Sequence, residues 1–330
     1  MEIITIDPIS FNHSKMNLAK IKSSSGYLSK YGIFIAFIVI CIMLSIATPY
    51  FFTAQNIIIV LRQVSINGIL AIGVTFVIIA GGIDLSLGSV LALTGVVAAG
   101  FAHPGTYALV VPVMLGILTG VIIGAINGLT ITLGKVAPFI VTLGMMTIAR
   151  GLALVWSDGR PVTNLSPAFN YIGGGDLLHI PVPILLFVLV IIVSAVILNY
   201  TRIGRYIYAV GGNENAARAS GIRVSGVKLF AYIMCSGLAG LAGIILASRI
   251  TTGQPNAGIA YELDAIAAVV IGGTSLLGGR GSIAGTVIGV LIIGVINNGL
   301  DLLNVTSYYQ QIIKGIIIIG AVLLDRKNTQ

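Results

Sequence analysis

The chain has 330 residues, 57% of them hydrophobic and only 8% charged, where a soluble domain carries about 25% charged residues. That composition, with 42 glycines, excludes an ordinary soluble fold and reads as an all-α polytopic membrane protein with closely packed helices. The net charge of +8 does not point to nucleic acid, because apolar runs separate the basic residues and the positive-inside bias accounts for them.

Residues 1–30 are polar and place Lys15, Lys20, Lys22 and Lys30 just before the first apolar run. Ser45-Ile46-Ala47 resembles a signal-peptidase site, but the run spans about 20 residues, enough to cross a bilayer. The expectation is a cytoplasmic N-terminal segment over 1–30, an uncleaved span at 31–50, and a single transmembrane domain over 31–330. Further spans are expected near 57–80, 84–101, 107–131, 137–156, 182–200, 229–249, 263–279, 283–304 and 309–325. About ten transmembrane helices put both termini on one side, and most of the 18 Lys and Arg residues then fall on the side assigned as cytoplasmic. Arg62, Arg150 and Lys314 fall inside spans and must snorkel or pair. Cys41 and Cys235 lie in apolar runs and read as packing, with no disulfide framework and no metal site.

The motif IIGAINGL (122–129) returns as IIGVINNGL (292–300). Five spans separate the copies, so they cross the membrane in opposite directions, the mark of an inverted repeat. Spans 2–5 (57–156) and 7–10 (229–325) would be the halves, with GIDLSLGSVLALTG (82–95) answering GIAYELDAIAAVVIGG (258–273) and Arg150-Gly151 answering Lys314-Gly315. The polar stretch 201–228 joins them. It carries five basic residues against Glu214, and its middle has helix punctuation: Asn213 as N-cap, Glu214 in the first turn and Gly221 as a stop.

Polar residues within the spans have two readings each. Asp84, after two glycines, reads first as a helix N-cap and second as a gating carboxylate. Glu262 and Asp264 mark the outer start of a span in the same way. Asn67, Asn127, Asn297 and Asn298 need partners inside the membrane, either neighbouring helices or a hydroxylated solute. Gly124, Gly128, Gly285 and Gly289 have the small-xxx-small spacing of packed helices. Gly134-Lys135 lacks the spacing of a phosphate-binding loop, and no HExxH or nucleophile-elbow pattern occurs. The mid-membrane carboxylates and broken helices of a secondary carrier are not evident either. The chain reads as a conduit whose energy comes from elsewhere.

The stretches GGIDLSLGSVLALTG (81–95), GRYIYAVGGNENAARASGI (204–222), YELDAIAAVVIGGTSLLGG (261–279) and NNGLDLLNVTSYYQQIIKG (297–315) resemble the membrane permeases of bacterial ATP-binding-cassette importers for monosaccharides. The last stretch leans toward the ribose members, which makes ribose the expected cargo. The resemblance implies a homodimer in the bacterial cytoplasmic membrane, a cytoplasmic ATPase subunit that holds ATP and Mg, and an extracytoplasmic sugar-binding protein. It implies no cofactor bound by this chain and no enzymatic activity of its own. It also makes Asn213, Glu214, Asn215, Ala216, Ala217, Arg218, Ala219, Ser220 and Gly221 the helix that couples to the ATPase, in a coupling loop over 201–228. Asn67, Asn127, Asn297 and Asn298 become candidates for the substrate path. The competing reading is a stand-alone secondary sugar carrier or facilitator.

Overall fold

A computed structural model describes residues 33–329; the expected segment 1–30 lies outside the described residues. The described chain is almost wholly helical. Its helices in order are α1 (Ile33–Ala47), α2 (Ala54–Ile79), α3 (Leu87–Gly100), α4 (Val110–Thr132), α5 (Pro138–Trp156) and α6 (Pro167–Gly174). Then follow α7 (Val182–Tyr200), α8 (Arg202–Gly212), α9 (Glu214–Ala219), α10 (Val224–Arg249), α11 (Tyr261–Ile271), α12 (Ile283–Leu302) and α13 (Ser307–Thr329). Two-residue strands β1 (Asp176–Leu177) and β2 (Ile180–Pro181) form an antiparallel hairpin between α6 and α7.

Six helices, α2, α4, α5, α7, α10 and α12, are long and apolar enough to cross a membrane. Helix α4 shows how the sequence produces that arrangement. Met114, Leu118, Ile122 and Ile126, four residues apart, form an exposed stripe, while Gly116, Gly120, Gly124 and Asn127 face inward. Large apolar side chains outside and small ones inside is the pattern of a helix that meets lipid on one face and packs tightly on the other. The inner face lies on α10 so closely that a Cβ at Gly120 would fall 2.4 Å from the Ser236 carbonyl oxygen. Small-xxx-small spacing is packing here, as the sequence suggests. Helix α10 packs against α2, α3, α4 and α6, and so carries the core.

Among the described residues α1 is a short apolar helix, and two further expected spans differ from helices of full length. α3 has 14 residues and α11 has 11, which at about 1.5 Å per residue is about 21 Å and 16 Å against a hydrocarbon core of about 30 Å. Helix α11 stops at Gly272 because Gly273 turns the chain at φ +85°. Before α3, Gly81 has φ +79° and residues 82–86 are non-helical. Although Gly81 and Gly273 are exposed, each interruption covers its polar side chains, with Asp84, Ser86 and Thr274 fully buried and Ser275 nearly so. Backbone without helical hydrogen bonds is tolerated at membrane depth only in such a setting. Both helices are thus short and flanked by non-helical chain, which the sequence did not reveal. The loop 157–181 is likewise folded: α6 packs on α10, with the Ser248 hydroxyl donating to the Phe169 carbonyl and accepting from the Gly173 amide, both at 2.6 Å.

Candidate functional site

The polar stretch 201–228 forms two consecutive short helices. Thr201 caps α8, its hydroxyl accepting from Gly204 N at 3.2 Å. Ile207 and Val210 are buried against the bundle, and the Tyr208 hydroxyl donates to the Gly281 carbonyl at 2.9 Å. Helix α8 was not expected from the sequence, although Ile203, Ile207 and Val210 repeat at the spacing of an amphipathic helix face. Its C-terminus meets two other glycine pairs, Gly81-Gly82 after α2 and Gly278-Gly279 between α11 and α12. Gly279 N donates to the Ile79 carbonyl at 2.9 Å, and a Cβ at Gly211 would fall 1.7 Å from that same oxygen.

Helix α9 has the expected caps. The Asn213 side chain accepts from Ala216 N at 2.9 Å. At the other end Gly221 takes φ +82°, with Gly221 N donating to Arg218 O and Ile222 N to Ala217 O. Those two bonds are the Schellman closure that a left-handed C′ glycine permits. Ala217 is buried, whereas Asn215, Ala216, Arg218, Ala219 and Ser220 are exposed. Glu214 is not a free contact: Arg218 donates to it at 2.9 Å and Lys228 of α10 at 2.6 Å. The Lys228 hydrogen bond, helped by Arg218, holds the Glu214 carboxyl below the usual carboxylate range. The Lys228 pair ties a helix of six residues, too short to persist alone, to the start of α10.

Three of the four asparagines have side-chain partners on other elements. Asn127, fully buried on α4, donates to Ser86 Oγ at 3.2 Å, and Ser86 donates through both its amide and its hydroxyl to Asp84. Asp84 is thus not the N-cap of α3; Ser86 holds that position. Asn297 on α12 donates to Asp264 at 3.4 Å, and Lys314 of α13 reaches the same carboxylate oxygen at 2.8 Å. Asn298 is paired reciprocally with Asn56 of α2, at 2.8 and 3.0 Å, so it fastens α12 to α2. Asn67 is buried midway along α2. Asn56 and the Thr75–Thr286 hydroxyl bond of 2.8 Å were not anticipated, since neither residue type stands out at its position. The three cations inside expected spans find partners: Arg62 with Asp176 at 2.8 Å, Arg150 with the carbonyls of Pro255 and Ala257, and Lys314 with Asp264.

A multi-pass bundle packed through glycine, with two interrupted helices and a folded polar loop at one end, is the architecture of a membrane transport protein. Residues 56–322 match the family described as branched-chain amino acid transport system / permease component, and the chain belongs to that family. It is 52% identical over 306 residues to the ribose import permease protein RbsC of Bacillus subtilis, covering 92% of this chain and 95% of that protein. It is 47% identical over 309 residues to the protein of the same name in Escherichia coli K12, covering 92% and 96%. The D-allose transport system permease protein AlsC of Escherichia coli K12 is 41% identical over 301 residues, covering 91% and 92%. No solved structure gives a significant match.

Proposed function

We propose that this chain is the membrane permease of an ATP-binding-cassette importer that carries a monosaccharide, ribose, across the bacterial cytoplasmic membrane. The observation that carries the reading is the 52% identity across 92% of the chain to a protein named a ribose import permease. In this reading two copies form the pathway, a cytoplasmic ATPase binds ATP and Mg, and a sugar-binding protein delivers the cargo from outside. Asn213–Gly221 is the coupling helix, with Asn215, Arg218 and Ser220 presented to the ATPase. Both termini are cytoplasmic.

Ten crossings arise when α1 and α13 are counted with the six long apolar helices, and α3 and α11 are completed by the non-helical segments beside them. The inverted halves are then α2–α5 and α10–α13. Supporting this, α2 and α10 both have 26 residues, and each half has a short helix whose N-terminal region carries a buried acid linked to an asparagine of the next helix. Those pairs are Asp84 with Asn127 through Ser86, and Asp264 with Asn297. Arg150 and Lys314 add nothing to the repeat, because both end on the segment 255–264. Interrupted helices in corresponding positions are where transporters place their substrates, which favours Asn127 and Asn297 for the sugar path; Asn67 on α2 and Asn298, engaged by Asn56, remain candidates beside them.

Interrupted helices also occur in secondary carriers, and reconstitution separates the two classes. Permease, ATPase and binding protein in proteoliposomes are expected to take up ribose only with ATP inside the ATPase compartment. Ribose uptake by the permease alone in ATP-free vesicles would overturn the importer reading. Preferential uptake of allose would overturn the cargo alone.

A further inference from the structure

A cavity of about 760 Å³ lies beside the proposed coupling helix, between the α4–α5 turn and the start of α10. Its wall carries Lys135, Arg218, Arg223 and Lys228 against the single carboxylate of Glu214. Arg218 and Lys228 are paired with Glu214; Lys135 and Arg223 have no acidic partner among the described residues. The cavity thus combines an excess of cations with the size of a small-molecule site.

Its position in the bundle selects the ligand. The lining includes Ile131 and Thr132 at the end of α4, Pro138 at the start of α5 and Val224 at the start of α10, and all three helices are candidate membrane spans. Three spans end there together, which is the headgroup level of a bilayer. Next to the cations the surface turns apolar: Leu133 is 72% exposed and Phe139 54%. A free anion would use only the cations, whereas an amphiphile uses both surfaces.

We propose that this cavity binds the phosphate headgroup of an anionic phospholipid of the cytoplasmic leaflet, with Lys135 and Arg223 as its principal contacts and an acyl chain lying along Leu133 and Phe139. Basic pockets between spans on the cytoplasmic side are suited to such headgroups. The side of the membrane rests on the proposed permease orientation; the chemistry of the cavity does not. Occupancy would place a lipid against Glu214 and Arg218 and so couple membrane composition to the posture of α9.

The test uses the full chain in nanodiscs of phosphatidylcholine with a minor fraction of phosphatidylglycerol, extracted into detergent and weighed by native mass spectrometry. Retained phosphatidylglycerol is expected on the parent protein and on the conservative Lys135→Arg/Arg223→Lys variant. Lys135→Ala/Arg223→Ala is expected to weaken retention on the order of 30-fold, two basic contacts' worth. Arg202→Ala/Arg205→Ala removes the same charge from α8, away from the cavity lining, and is expected to retain the lipid. Equal loss in both alanine pairs would reduce the effect to bulk charge and overturn the site. Displacement of the lipid by millimolar inorganic phosphate would assign the cavity to a free anion and overturn the lipid. Elution profile and thermal unfolding of each variant keep misfolding apart from lost binding. ATPase co-purification on the same samples reports the permease reading separately, so either idea can fail alone.

Discussion

Lys314 reaches from α13 to a carboxylate, Asp264, whose side chain is only 5% exposed. Asn297 is its other partner, at the long distance of 3.4 Å. Removing one member of a covered ion pair costs about 3 kcal/mol, because the remaining charge has no compensation. Lys314→Met is therefore expected to lower stability by about that amount in thermal unfolding of the detergent-solubilised protein. Lys314→Met/Asp264→Asn is expected to recover most of the loss, and a double variant no better than the single one would show that the two side chains are not coupled. At this scale the sequence is informative about need and silent about partners. An Arg or Lys within a span must find an acceptor, which holds for Arg62, Arg150 and Lys314. The acceptors lie 50 to 114 residues away in the chain, and no local pattern encodes such separations. Asp84 misleads for the opposite reason. Its neighbours suggest a cap, but the chain stays non-helical for two more residues and turns the carboxylate onto Ser86.

Helix α9 was legible almost to the residue, because a cap asparagine and a left-handed glycine act within a few positions of chain. Helix α8 was not, since its Arg and Gly content masks a short apolar face. The breaks beside α3 and α11 were hidden by apolar runs that continue across them, although Gly81-Gly82 and Gly272-Gly273 were the available signal. With α9 in its proposed role as the ATPase-coupling helix, the capping leads to a graded expectation. Asn213→Ala removes a cap worth about 1 kcal/mol to the helix and should weaken ATPase co-purification several-fold while leaving the unfolding temperature of the bundle unchanged. Arg218→Glu breaks an exposed i,i+4 pair worth at most about 0.5 kcal/mol, so the bundle should again be unaffected. Recruitment of the ATPase should nevertheless fall, and unchanged co-purification and uptake would make Arg218 only an orientation charge. The pH dependence has a definite sign. The Glu214 carboxyl is depressed by Lys228 and then Arg218, so its ion pairs contribute fully above the ordinary value of 4.5 and are lost as pH falls through the lowered one. ATPase binding through α9 is expected to be level between about pH 6 and pH 8 and to decline only on the acid side.

Across the whole molecule, α9 is linked to the bundle by the Lys228–Glu214 ion pair and also through a backbone contact at the end of α8. Helix α8 leads directly into it, and the end of α8 rests on the ends of two other elements where three glycine pairs meet. Gly279 donates to Ile79 O, and Gly211 lies against that same carbonyl. The contact joins the end of α2, the α11–α12 connection and the end of α8, so under the proposed coupling role a displacement of α9 would be passed to both proposed halves at one point. Composition revealed a bundle and a basic loop. It could not reveal this junction, because glycine pairs at 81, 211 and 278 look alike until the fold superposes them. Two adjacent substitutions test it. A Cβ at Gly211 would sit 1.7 Å from the Ile79 oxygen, whereas one at Gly212 meets nothing within 4 Å. Gly211→Ala must push the elements apart and is expected to cost about 1–3 kcal/mol of stability, together with ATP-driven uptake. Gly212→Ala should be neutral or slightly stabilising, since alanine is the better helix residue by up to about 1 kcal/mol. Equal behaviour of the two in unfolding and uptake would mean that α8 yields without disturbing either half, and that force from the ATPase enters the bundle by another route.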